Sequence, residues 1–156
     1  MLLGELGSAI SDPPTVVWAA LWHDAIYDPR SSTNELDSAS LARSALGALG
    51  VDQSRLDELE RLIMLTAGHR VAHDDLAGAV LVDSDLAVLG ADPGTYAVYV
   101  AGIRHEYQFV AEGAWRRGRA VVLQNLLDLP KIFSTEAMRA YESVARRNLA
   151  NELATL

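Results

Sequence analysis

A chain of 156 residues, half of them apolar and 22% charged, can bury a sizeable core in one globular domain and is excluded from the disordered class. Its net charge of −8 argues against nucleic acid or an anionic membrane as partner, because both are held through basic surface. There is no cysteine, which excludes disulfides and thiolate chemistry and suits a reducing compartment.

The opening "MLLGELGSAI" lacks the positive n-region and long apolar h-region of a signal peptide. No apolar run approaches the roughly 20 residues a membrane span needs, so a cytoplasmic protein is expected. The first predicted element is "TVVWAALWHDAIY", a buried helix ending near Asp28-Pro29, where proline forces a break. "SSTNELDSASLARSALGALG" follows, with a capping box of Ser32 and Glu35 at its start and Gly47 or Gly50 at its end. Leu41, Ala42, Ala45, Leu46 and Leu49 keep helical spacing within it. "SRLDELERLIMLTAGHR" repeats that pattern through Leu56, Leu59, Leu62, Ile63 and Leu65 and runs out at Gly68-His69.

"DDLAGAVLVDSDLAVLGADPG" is a fourth apolar helix, interrupted by Asp83 and Asp85. "TYAVYVAGIRHEYQFVAEGAWRRG" is predicted as the longest helix; a strand over 96–100 is rejected because apolar positions continue at helical spacing into Ile103, Tyr107 and Val110. "RAVVLQNLLDLP" and "STEAMRAYESVARRNLANELATL" complete the set, separated at Pro130. The basic clusters at 115–119 and 145–147 read as solvated helix faces. The expectation is an all-α bundle of six or seven helices in a single domain over 1–156.

A few polar residues stand where an amphipathic pattern prefers apolar ones. His23 and Asp24 are neighbours, about 100° apart on a helix, so both reach one ion only if it sits off that face. As a bare dipeptide they suit a helix-end hydrogen bond equally well. His69 after Gly68 reads on its own as a helix C-terminal cap, favourable to the dipole. Asp83 and Asp85 diverge by about 200° on a helix, so only one readily faces a given neighbour. An inward carboxylate in such an apolar run needs a cation. His73 and His105 read as surface residues. Taken together, imidazole and carboxylate groups are ligands for Mn, Fe, Co, Ni, Zn or Mg, and a helical bundle can gather them from separate segments.

The stretches "LWHDAIYDP", "NELDSASLA", "LTAGH", "LVDSDLAVLGA", "YAVYVAGIRHEYQFV" and "GRAVVLQNLL", in this order over most of the chain, resemble the HD-domain metal-dependent phosphohydrolases. The likeness is to a small bacterial group of HD-superfamily hydrolases of unknown substrate. It implies an all-α bundle in which an early His, an adjacent His–Asp and a distant Asp hold one divalent metal ion. Carried over by position, His23 and Asp24 are the central pair and Asp85 the distant acid, with Asp83 the runner-up. His69 corresponds to a further pocket His that binds a second metal or a phosphate. Residues 1–22 contain no His, so the helix bearing the first ligand is expected to be missing, either because the start lies further upstream or because the ligand is lost. Three ligands hold an ion more weakly.

The resemblance implies hydrolysis of a small phosphorylated metabolite or nucleotide, with His23, Asp24 and Asp85 on the ion and His69 orienting phosphate or protonating the leaving group. Asp28 or Glu35 is the candidate outer-sphere base. Arg104 is the candidate phosphate clamp, since guanidinium matches phosphate oxygens bidentately. The rival expectation is a degenerate HD bundle that binds a nucleotide or a protein without hydrolysis. A homo-oligomer is compatible with either.

Overall fold

In the computed structural model, residues 9–156 are described; the opening segment on which the signal-peptide reading rests lies largely outside them. The described residues form seven α-helices and no strand, so the all-α expectation holds. None of these helices is by itself long and apolar enough to cross a membrane. The chain divides into two compact units, one ending at Asp85 and the other beginning at Leu86.

The first unit holds α1 (Pro13–Trp22), α2 (Asn34–Ala48), α3 (Gln53–Thr66) and α4 (Leu76–Asp85). Helix α3 is its axis and packs against the other three. Asp52 caps it by accepting from Arg55 N–H. Its Leu56, Leu59, Leu62 and Ile63 lie at helical spacing and are buried with Val16, Ala19, Ala39, Ala42, Val80 and Val82. Each large aliphatic side chain removed from water in this way contributes about 1.5–3 kcal/mol.

Helix α1 stops at Trp22 rather than near Asp28. The ring of His23 donates from Nδ1 to Ala20 O at 2.9 Å, and Ala25 N–H turns back to Trp22 O, so the chain leaves the helix six residues before Pro29. His23 and Asp24 therefore sit in a turn, and their helical 100° separation does not apply. The expected Ser32–Glu35 capping box is also not formed. Thr33 is the cap residue without a side-chain cap bond, and its hydroxyl donates to Asp37 instead.

The second unit holds a 3-10 turn (Leu86–Gly90), α5 (Pro93–Glu106), α6 (Glu112–Leu127), a second 3-10 turn (Glu136–Tyr141) and α7 (Glu142–Leu153). Helix α7 packs on α6 and on both turns. The long helix expected from residue 95 onward is broken at Tyr107–Ala111. Arg104 donates to Tyr107 O and to Glu112 and lies over the Trp115 ring, which satisfies the helix end and folds the chain back. Gly118 leaves α6 unbroken, so "RAVVLQNLL" belongs to the same helix as "EGAWRRG".

The solvated reading of the basic clusters also fails in part. Arg119 is buried, and its Nε and Nη2 donate to Glu152 at 2.7 and 3.0 Å. Tyr96 OH donates to the same carboxylate at 2.5 Å. Burial and the Glu152 charge push the Tyr96 phenol well above its ordinary range. Arg146 donates to Leu127 O and Leu129 O. Asn148, also buried, donates to Leu89 O and Ala91 O and so fastens α7 to the 3-10 turn.

Candidate metal centre

His23, Asp24, His69 and Asp85 all belong to the first unit and form one linked polar group. Helix α1 delivers His23 at its C-terminal cap. Its Nδ1–H bond to Ala20 O fixes the ring and leaves Nε2 pointing at the acids. That Nε2 is 3.3 Å from Asp85 Oδ1 and 3.4 Å from Asp24 Oδ2. From the other side, His69 Nε2 makes a 2.8 Å hydrogen bond to Asp85 Oδ2. Asp85 is the last residue of α4 and Asp83 is wholly buried within it. The 200° divergence thus separated the two acids as expected, and Asp85 is the one facing the histidines.

His69 reaches Asp85 through an uncommon backbone. Helix α3 ends at Thr66, and His69 N–H returns to Leu65 O at 2.8 Å. The residue stands at φ +51°, the left-handed region usually given to glycine. It is a C-terminal cap through its backbone and a partner of Asp85 through its side chain.

The electrostatics follow from these contacts. The hydrogen bond to Asp85 raises the His23 imidazole to about 9, against the opposing pull of burial. Burial opposes ionisation of Asp85, but hydrogen bonds from His23 and His69 outweigh it and hold the carboxyl well below its usual range. Asp24 is the open member, with 60% of its side chain exposed.

The turn that carries Asp24 is fixed from α2. Buried Ser38 accepts from Ile26 N–H and donates to Ile26 O. Asn34 accepts from Asp28 N–H and donates to Asp28 O. Neither loop-holding role was read from the sequence. Their signal was two small polar residues four apart on the inward side of a helix, where side chains can hold a loop's backbone.

Asp28 serves the same loop: its carboxylate accepts from Arg30 N–H in a turn. Glu35 lies in the first turn of α2, where a negative charge suits the helix dipole. Arg104 lies in the second unit with its guanidinium committed to Tyr107 O, Glu112 and Trp115. His73 and His105 are exposed, as expected.

Two imidazoles and two carboxylates suit a divalent first-row ion, and the two acids match its charge. The 3.3 and 3.4 Å separations at His23 Nε2 are those of neighbouring ligands each about 2.1 Å from a common ion. The donors are nevertheless joined in pairs: among the described residues, no three His, Asp or Glu side chains form a group already arranged to hold an ion. Compared with protein-family models, with characterised proteins and with solved structures, the chain finds no match.

Proposed function

We propose that the protein is a metal-dependent phosphohydrolase of the HD type acting on a small phosphorylated metabolite or nucleotide. The observation that carries this reading is the meeting of His23, Asp24, His69 and Asp85 from separate segments, with Asp85 shared between two imidazoles. His23, Asp24 and Asp85 would hold the ion. When bound, it would neutralise charge on a phosphoryl oxygen and acidify a water. The chain's own part is to orient these donors: Ala20 O fixes the His23 ring, and Ser38 and Asn34 fix the loop after Asp24. Asp28 and Arg104 have local structural partners, Glu35 lies in the first turn of α2, and all three are left out of the reaction. A cytoplasmic location goes with this reading.

The test is hydrolysis of nucleoside monophosphates and an aryl phosphate by protein loaded with Mn2+ or Co2+. Turnover is expected, with its loss in His23→Ala and Asp85→Asn. A loaded, folded protein that leaves a broad phosphoester panel untouched would refute the hydrolase. The pairing of the donors favours a second reading, a metal-free module that binds a nucleotide or a protein. Tight nucleotide binding by chelator-treated protein, without turnover, is its signature.

A further inference from the structure

We infer that the second unit carries a small-molecule site of its own, an open cleft between α5 and α7 that takes a neutral aminopurine base. The inference does not depend on the metal centre and stands if that reading fails. The cleft has a volume of about 300 Å³, with Pro93, Tyr96 and Val100 on one side and Asn148, Asn151 and Thr155 on the other. This is the small end of the range for ligand pockets, and it suits a single base. The lining is mostly apolar with a few polar groups, the usual make-up of such sites. Charge narrows the class further. Among the described lining residues Glu152 alone is ionised, and its carboxylate is already met by Arg119 and Tyr96. An ionic ligand would find no unspent counter-charge in the lining, and desolvating it without one is costly.

Asn148 decides what is read at the buried end. The residue is only 4% exposed, and Nδ2 spends both hydrogens on Leu89 O and Ala91 O, each at 2.9 Å. The opposite flip of the amide would set its oxygen against two carbonyls, so the orientation is fixed. Oδ1 is left with no donor among the described residues, yet it is not sealed from solvent. The solvent space that Asn148 lines is this cleft. An acceptor so nearly buried calls for an N–H from the ligand. Asn151, almost one turn further along α7, is exposed with its amide uncommitted among the described residues. A free Asn amide pairs bidentately with the amino group and neighbouring ring nitrogen of adenine. Thr155 has given its hydroxyl proton to Glu152 O, so it can only accept. Tyr96, Pro93 and Val100 supply apolar surface for the flat ring.

The test is titration of the full chain with adenosine in the presence of chelator. Calorimetry gives the affinity, and proton–nitrogen correlation spectra follow the side-chain amides of Asn148 and Asn151. Saturable binding of one adenosine per chain is expected, with both amides shifting. Adenosine methylated twice on its amino group has lost the N–H donors and should bind at least ~5-fold more weakly. Asn151→Ala alters an exposed position and should weaken adenosine by a similar factor. Val100→Trp fills the cleft and should abolish binding while the circular dichroism spectrum stays that of wild type. Shifts that do not saturate, or that spare both asparagines, would overturn the site. Equal affinity for adenosine and its methylated form would overturn the assignment of an aminopurine. Undiminished binding in both Asn151→Ala and Val100→Trp would put adenosine elsewhere on the chain and overturn the inference as well. No readout here requires metal or turnover, so failure of this site and failure of the hydrolase are told apart.

Discussion

Asp85 accepts from two imidazoles, and this makes the stability of the metal-free protein depend on pH from both sides. His23 is raised to about 9 from an ordinary value of about 6.5. Folding therefore favours its charged form, and the resulting stabilisation is complete below about pH 6.5 and lost as pH rises through about 9. Asp85 is held below its usual range, so its contribution is present above about pH 4 and lost on further acidification. The pair contributes fully between about pH 4 and 6.5. Urea denaturation of chelator-treated protein should show a midpoint that falls from pH 6.5 to 10 more steeply in wild type than in His23→Gln. Parallel profiles would contradict the pairing. The residues themselves were legible in sequence, because His and Asp are conspicuous in "AALWHDA" and "VLVDSDL". The partner of each was not, since hydrogen bonds that join distant segments leave no local periodicity.

Helix α3 is the element on which the first unit rests. Leu59 is fully buried at its centre. Leu59→Ala should lower the unfolding free energy by about 2–5 kcal/mol, the sum of lost transfer energy and the cavity left behind. A loss below 1 kcal/mol on chemical denaturation would show that the unit is not organised around this helix. Regular repetition of apolar residues made α3 readable, whereas helix ends made by side chains were not. No glycine or proline marks the end of α1 at Trp22 or the break at Tyr107–Ala111. The first is made by the His23 ring on Ala20 O and the second by the Arg104 guanidinium on Tyr107 O. Arg119 was misread for a related reason: its partner Glu152 lies on another helix, and an arginine without a visible partner looks like surface.

Across the whole molecule most of the 13 Lys and Arg side chains are held in ion pairs. Arg43, Arg55, Arg61, Arg104, Arg116, Arg119, Arg139 and Arg146 are each paired with a carboxylate. The fold class followed from repeated helical spacing along the chain. The division at Asp85 was not visible, because the apolar run "AVLVDSDLAVLG" passes through it without a change of composition.

Helix α5 buries only Tyr96 of its fourteen residues, and that side chain is held at its tip by Glu152. Its backbone hydrogen bonds are therefore guarded by one buried side chain and by the part-exposed contacts of Tyr99 and Arg104, and breathing motions that expose them need not disturb the Leu59–Leu62–Ile63 layer of α3. Amide hydrogen exchange reads this directly, because exchange occurs only from opened states and local opening costs less than global unfolding. Amides of α5 should exchange by subglobal opening, orders of magnitude faster than those at Leu62 and Ile63, which should exchange near the global limit. Tyr96→Phe removes the anchoring hydroxyl while keeping the ring. It should speed exchange throughout α5 and leave the α3 rates almost unchanged. Equal protection of the two helices in wild type would mean that α5 opens only when everything does.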